Sequence, residues 1–213
     1  MTKYLYLHGF ASSPQSQKAQ YFKAHFQSEL NISLVIPDLN QDDFSLFTLT
    51  RAIAQSSQLL KDSQDSWVII GSSLGGLLAT LLAQEYIQVA RLVLLAPAFD
   101  FLATWSQGSG RELFEKWRED SYYPIYHYAK QQSVPLSYHF VEDAKKYLSC
   151  SFKRELPTSI FHGVQDQTIP IENSRRYLAE HPWATLKELS SDHGLANVLP
   201  EIWRSVKSII PAL

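Results

Sequence analysis

Cysteine and methionine are nearly absent, with one of each in 213 residues. Cys150 therefore has no partner for an internal disulfide, which excludes a disulfide-stapled scaffold. Glycine is scarce at 8 residues, so glycine-patterned motifs arise by chance rarely, roughly 3 % of the time for the one discussed below. No sign of charge dominates. The 19 Lys and Arg are scattered against 21 Asp and Glu, for a net charge of -2, which argues against a nucleic-acid footprint. Apolar residues at 45 % with charged residues at 19 % exclude a disordered chain. Trp67 to Ala83 carries no charge over 17 residues, but that is at the short limit for a membrane span, and Gly71-Ser72-Ser73 interrupts it. No signal peptide fits, because Met-Thr-Lys runs at once into the strand-like Tyr4-Leu5-Tyr6-Leu7. The expectation is a cytoplasmic protein with no membrane partner. There are no repeats and no low-complexity segment.

Apolar β-type runs alternate with helical runs, the pattern of an α/β fold with a parallel sheet. Strands are predicted at Lys3–Leu7, Ser33–Ile36, Trp67–Ile70, Leu92–Leu95, Ser159–Phe161 and Thr185–Leu189. Helices are predicted at Gln15–Leu30, Phe44–Lys61, Leu74–Tyr86, Ile171–Glu180 and Pro200–Ile210. The strand runs lack polar alternation, which suits a sheet covered on both faces. One domain over 1–213 is expected. A single stretch breaks the rhythm: more than 60 residues separate Leu95 from Ser159, far beyond an ordinary connection. It holds 13 of the 27 aromatics. The expectation is a helical lid insertion over roughly 98–156 lining an apolar pocket, with most of its rings packing a small core of its own.

Gly71-Ser72-Ser73-Leu74-Gly75 follows the run Trp67-Val68-Ile69-Ile70 and opens a helical run. It fits G-x-S-x-G, a strand-to-helix turn that lifts the central serine above the sheet. Gly71 and Gly75 are expected because side chains there would collide with neighbouring backbone. A serine needs a histidine to take its proton and a carboxylate to orient that histidine, and in such folds the chain order is serine, acid, histidine. His8 and His25 precede Ser73, and His127 and His139 lie in the insertion. His162 ends a strand before any acid, and His181 precedes Pro182 and reads as surface. His193, in Ser190-Ser191-Asp192-His193-Gly194 past the last strand, remains as the base. Asp166 is the expected acid, in the turn after Ile160-Phe161-His162-Gly163, the alternative for an acid there being a turn residue that caps the next helix. Asp192 is adjacent to His193 and should point elsewhere, while Glu142 and Asp143 read as helix-start acids. An oxyanion hole needs two backbone donors. The Leu74 N–H is one, and the Phe10 N–H in His8-Gly9-Phe10 is the other, with His8 holding that loop structurally.

These four stations in order resemble the α/β-hydrolase superfamily. The opening Tyr6-Leu7-His8-Gly9-Phe10-Ala11-Ser12-Ser13-Pro14 looks like the small bacterial YqiA/YcfP-like esterases. The insertion is more similar to that of small acyl-thioesterases related to the mitochondrial palmitoyl-protein thioesterase. The resemblance implies an α/β-hydrolase fold with about six parallel strands, helices on both faces, and none of the two antiparallel strands that open larger members. It implies a serine carboxylesterase acting on small or medium acyl esters through Ser73, Asp166 and His193, with Phe10 and Leu74 as oxyanion donors and no metal or cofactor. One alternative is an acyl-thioesterase whose Lys145-Lys146 and Lys153-Arg154 meet coenzyme A phosphates, although such pairs are commonly solvated. Another is a non-catalytic binding protein on the same fold. A Cys150 nucleophile is the least supported, because Cys150 lies far from the glycine-serine turn and reads as a small packed residue.

Overall fold

The computed structural model describes residues 1–61, 63–106, 110–147 and 150–210. Its strands are β1 (Thr2–Leu7), β2 (Leu34–Val35), β3 (Ser66–Ser72), β4 (Val89–Leu95), β5 (Tyr122–His127), β6 (Gln132–Ser137), β7 (Thr158–Gly163) and β8 (Ala184–Leu189). Six of them form one parallel sheet in the order β2-β1-β3-β4-β7-β8.

The apolar runs become interior strands because successive side chains point to opposite faces and both faces are covered. Register makes this concrete. Leu5 lies beside Ile69, and Ile69 beside Leu92. Tyr6 lies beside Ile70, and Ile70 beside Val93. The first row belongs to one core cluster and the second to another, and every side chain in both rows is buried. Each contributes roughly 1.5–3 kcal/mol of burial.

Helices α1 (Gln17–Leu30) and α8 (Leu199–Ile209) cover the Tyr6 face with Phe22, Phe26, Ile202 and Trp203. Helices α2 (Leu49–Lys61), α3 (Leu74–Glu85) and α7 (Ile171–Glu180) cover the Leu5 face with Leu49, Leu60, Leu78, Leu82 and Tyr177. The single helix predicted over Phe44–Lys61 is interrupted. A 3₁₀ turn at Phe44–Leu46 is capped by Asp43, Phe47 is extended, and Thr48 Oγ1 accepts a fresh cap from Arg51 N–H at 3.1 Å before α2 proceeds. Two capping residues five apart therefore split one apolar pattern. The charge-free stretch Trp67 to Ala83 divides between β3 and α3, and no helix among the described residues is long and apolar enough to cross a membrane.

Between β4 and β7 the chain forms α4 (Phe101–Trp105), α5 (Gly110–Asp120), the antiparallel hairpin β5–β6, and α6 (His139–Lys145). The hairpin is an addition to the expected helical insertion. Pro124 and Pro135 face each other across it, and prolines mask a strand in sequence although a two-stranded ribbon, which has only edges, tolerates them. The insertion does not build a core of its own. Phe99, Phe101, Trp117 and Phe140 are buried in the Leu5-face core, and Trp105, Phe114, Tyr123, Tyr138, Tyr147 and Phe152 pack against it. Tyr122, Tyr126 and Tyr128 are exposed. The hairpin tip is fastened to the loop after β1, where Tyr128 N–H donates to the Ala11 carbonyl at 2.9 Å.

Candidate active site

Every strand of the large sheet runs the same way, so the loops after β1, β3, β7 and β8 gather at one edge, where such sheets place ligands. Ser73 joins β3 to α3 with φ 53° and ψ -119°, a region that non-glycine residues occupy only under constraint. The constraint is visible. Ser73 N–H donates to the Leu95 carbonyl at 2.8 Å, and the Ser73 carbonyl accepts from Ala98 N–H at 3.0 Å. A side chain at Gly71 would strike the Gly75–Gly76 backbone, and one at Gly75 would strike the Leu7 and His8 carbonyls. Both glycines thus permit the close approach that presents the serine.

The structure brings Ser73, His193 and Asp166 together. Ser73 Oγ lies 3.0 Å from His193 Nε2, and His193 Nδ1 lies 2.6 Å from Asp166 Oδ2. The carboxylate can only accept, so Nδ1 carries the hydrogen and Nε2 is free to accept from the serine hydroxyl. The loops that carry acid and histidine are laced together: Val164 N–H donates to Leu189 O at 2.8 Å and Gln165 N–H to Ser191 O at 3.0 Å. Asp166 is enclosed on all sides. Oδ1 accepts from Thr168 and Ile169 N–H at 2.9 Å each, and Oδ2 accepts from His193 and from His162 Nε2 at 3.1 Å. Burial raises its pKa, but hydrogen bonds from His162 and His193, the His193 charge and Ile169 N–H outweigh that, and the carboxyl is held well below the usual range. Asp192 instead accepts from Gly194 N–H at 2.9 Å, and Asp143 is buried far along the chain, accepting from Thr50 N–H at 2.8 Å.

The loop after β1 lies against the serine, and a side chain at Gly9 would come within 3.3 Å of Ser73 Cβ. His8 is buried and structural here: Nδ1 donates to Gly9 O at 2.9 Å and Nε2 accepts from Leu39 N–H at 3.0 Å. Among the described residues neither Phe10 N–H nor Leu74 N–H has a protein acceptor. The Phe10 ring stacks on Phe140 at 5.0 Å and also meets Phe44, Phe47 and Trp105.

Residues 3–209 match the uncharacterised protein family UPF0227. The chain belongs to UPF0227. Solved structures share its architecture. A protein from Agrobacterium vitis S4 is 20 % identical, with 99 % of this chain and 88 % of that one covered and a TM-score of 0.85. Mouse alpha/beta hydrolase domain-containing protein 10 is 20 % identical, with 98 % and 89 % covered and a TM-score of 0.81. Est1E of Butyrivibrio proteoclasticus with ferulic acid bound is 17 % identical, with 99 % and 88 % covered and a TM-score of 0.79. Together with the sheet order they establish the α/β-hydrolase fold for this UPF0227 chain.

Several residues stand elsewhere than the sequence suggested. His181 is buried rather than on the surface, stacked on Tyr177 at 3.9 Å. Its position before Pro182 signals a helix end, which here is packed against the insertion through Phe152. Cys150 is exposed, not packed, and its neighbours Leu148 and Ser149 lie outside the described residues. Arg154 is committed to the turn between α3 and β4, donating to the carbonyls of Ala83, Tyr86, Ile87 and Val89 at 2.6–2.8 Å. Lys146 pairs with Asp143 at 2.9 Å. A cavity of about 510 Å³ lies between α3, α7 and the insertion, lined by Leu77, Phe99, Phe101, Tyr177 and Arg176 among others, but not by Ser73, Asp166 or His193. Two residues near the site were not singled out in sequence. His162 meets Asp166, as above. Lys18, on the first turn of α1, donates from Nζ to the His193 carbonyl at 3.4 Å. Burial lowers its pKa to about 8 against the opposing charges of Asp166 and Asp192. Among the described residues no group of three His, Cys, Asp or Glu could hold a metal ion.

Proposed function

We propose that this chain is a serine carboxylesterase. The observation that carries the reading is the unbroken line from Ser73 Oγ through His193 to Asp166, at 3.0 and 2.6 Å, on a turn strained to φ 53°. In this reading His193 Nε2 takes the Ser73 proton as Oγ attacks the ester carbonyl, and Asp166 stabilises the imidazolium that forms. The Phe10 and Leu74 N–H groups, free of protein acceptors, receive the oxyanion. His193 then protonates the leaving alcohol, and water repeats the sequence on the acyl-enzyme. The aromatic surround of Phe10 suits a small or medium acyl group, and the insertion over roughly 98–156 serves as the lid. No step calls on a metal or cofactor. A protein of similar fold, Est1E, binds ferulic acid, a carboxylic acid of the class such a reaction would release.

Hydrolysis of a coenzyme A thioester uses the same triad and is the second reading, but one member of each basic pair that would meet its phosphates is engaged within the chain: Arg154 by four carbonyls and Lys146 by Asp143. A binding role on the same fold has no use for a strained serine in hydrogen-bond reach of a histidine. The test is fluorophosphonate labelling of wild type beside Ser73→Ala, read by intact mass, with nitrophenyl ester and acyl-CoA rates alongside. One adduct on wild type, none on the variant, and preference for the ester are expected. No adduct on the folded wild type refutes the reading.

A further inference from the structure

We infer that His162 is a positioning residue for the acid of this triad, holding the Asp166 oxygen that receives His193. The inference rests on the serine-hydrolase reading for its catalytic consequence, but on geometry alone for the contact. His162 is the penultimate residue of β7 and is fully buried. Its Nε2 faces two acceptors, Asp166 Oδ2 at 3.1 Å and the Ile169 carbonyl at 2.9 Å. An imidazole nitrogen between two acceptors must carry hydrogen. Its Nδ1 lies 2.7 Å from the hydroxyl of Ser174, itself fully buried on α7, and that hydroxyl donates. The result is a continuous chain: Ser174 to His162, His162 to Asp166, with His193 donating to the same Oδ2 and Ser73 donating to His193.

The need for such a group follows from how an aspartate is built. Rotation about its last side-chain bond is soft and carries both oxygens together, so the two backbone donors on Oδ1 hold the carboxylate from one side and a donor on Oδ2 is needed to hold it from the other. His193 cannot place it, because His193 moves and changes charge in the cycle. His162 is anchored at Nδ1 and shares its Nε2–H with a backbone carbonyl, which makes it a fixed point. Nothing else in the proposed mechanism uses this buried imidazole, and an apolar side chain would fill a strand end as well.

The experiment compares wild type, His162→Leu, His162→Gln and Ser174→Ala. Ester turnover is measured, together with the downfield proton resonance of the His193–Asp166 hydrogen bond. Losing a charge-assisted hydrogen bond predicts a fall in kcat of roughly 10- to 100-fold for His162→Leu with KM near wild type. The resonance should broaden or vanish. Glutamine, whose amide nitrogen reaches about as far as Nε2, should restore most of both. Ser174→Ala should produce a smaller loss, about threefold to tenfold, because it frees only the far side of the ring. Wild-type kcat and an unchanged resonance in His162→Leu overturn the inference. Should that variant fail to fold, an unchanged Ser174→Ala together with a His162→Gln no better than a dead enzyme overturns it equally. A wild type that neither labels nor turns over ester, yet loses the resonance in His162→Leu, refutes the hydrolase reading and upholds the positioning.

Discussion

Replacing Lys18 with methionine should stabilise this protein while slowing it. Lys18 sits on the first turn of α1, where a cation opposes the helix dipole, and burial lowers its pKa from 10.5 to about 8. Each unit is about 1.4 kcal/mol, so keeping the ammonium charged in the fold costs about 3 kcal/mol at neutral pH. The sign runs one way. Between pH 8 and 10.5 the unfolded chain binds more protons at this residue than the folded one, so stability rises with pH across that window, and the penalty is complete below pH 8. Lys18→Met removes the penalty at every pH. Urea unfolding of both proteins at pH 7, 8, 9 and 10 should therefore show the variant more stable by about 3 kcal/mol at pH 7, roughly 1 M in midpoint, with the gap closing towards pH 10.5. Activity should fall severalfold, because the His193 carbonyl loses its donor. A variant less stable than wild type at pH 7, or a difference that does not change with pH, refutes the reasoning.

Ser73→Ala should lower ester turnover by roughly 10⁴- to 10⁶-fold with the thermal midpoint held within a few degrees, and a rate within tenfold of wild type would remove Ser73 from the mechanism. Ser73→Gly should be equally inactive but more stable by about 1 kcal/mol, since glycine occupies φ 53° without strain; calorimetry decides it. Gly75→Ala should fail to fold or lose several kcal/mol, because the added methyl meets the Leu7 and His8 carbonyls rather than a side chain that could move; its urea midpoint measures this. Arg154→Ala should cost about 3 kcal/mol by removing the guanidinium donors from four carbonyls, of which Tyr86 O keeps the Val89 N–H, and kcat should stay unchanged because the turn lies at the far end of the sheet from Ser73. Arg154→Lys should recover less than half of the loss, as one ammonium cannot replace a planar fork.

Much of this molecule is legible in its sequence, for reasons particular residues show. The central strands of the large sheet are readable because both faces are buried, so their runs are apolar without interruption, as at Tyr4-Leu5-Tyr6-Leu7. Ser73 stands out because two scarce glycines bracket it at positions where only glycine fits. What was hidden depends on encounters that spacing does not encode. The β5–β6 hairpin is masked by Pro124 and Pro135, whose only licence is to face each other on an isolated ribbon. His162 is set aside by a chain-order rule that seeks a base and has no place for a histidine that serves the acid. The signal was nevertheless present, as a polar residue directly after the apolar pair Ile160-Phe161 of β7, four residues before Asp166. Lys18 gave no signal, since its partner lies 175 residues away. His181 looks exposed beside Pro182 because a helix end is the local reading, whereas its burial is set by Tyr177 and Phe152.

The two core clusters on either side of the sheet have a consequence for how the site responds to change. The His193 loop is flanked by Leu189 and Leu195, both in the cluster under α1 and α8, and Lys18 reaches it from that layer. Leu74 belongs to the opposite cluster, as do Phe10's neighbours Phe44, Phe47 and Phe140. His193 and the proposed oxyanion donors thus rest on opposite faces of the sheet, while the acid is tied through Ile169 and through His162 and Ser174 on α7 to the face that carries Leu74. Disturbances of the His193 support should add to disturbances of the oxyanion support as independent free energies. A cycle of Lys18→Met with Phe140→Leu should show no coupling in kcat/KM beyond about 0.5 kcal/mol, so that each support can drift, or be engineered, without the other being rebuilt.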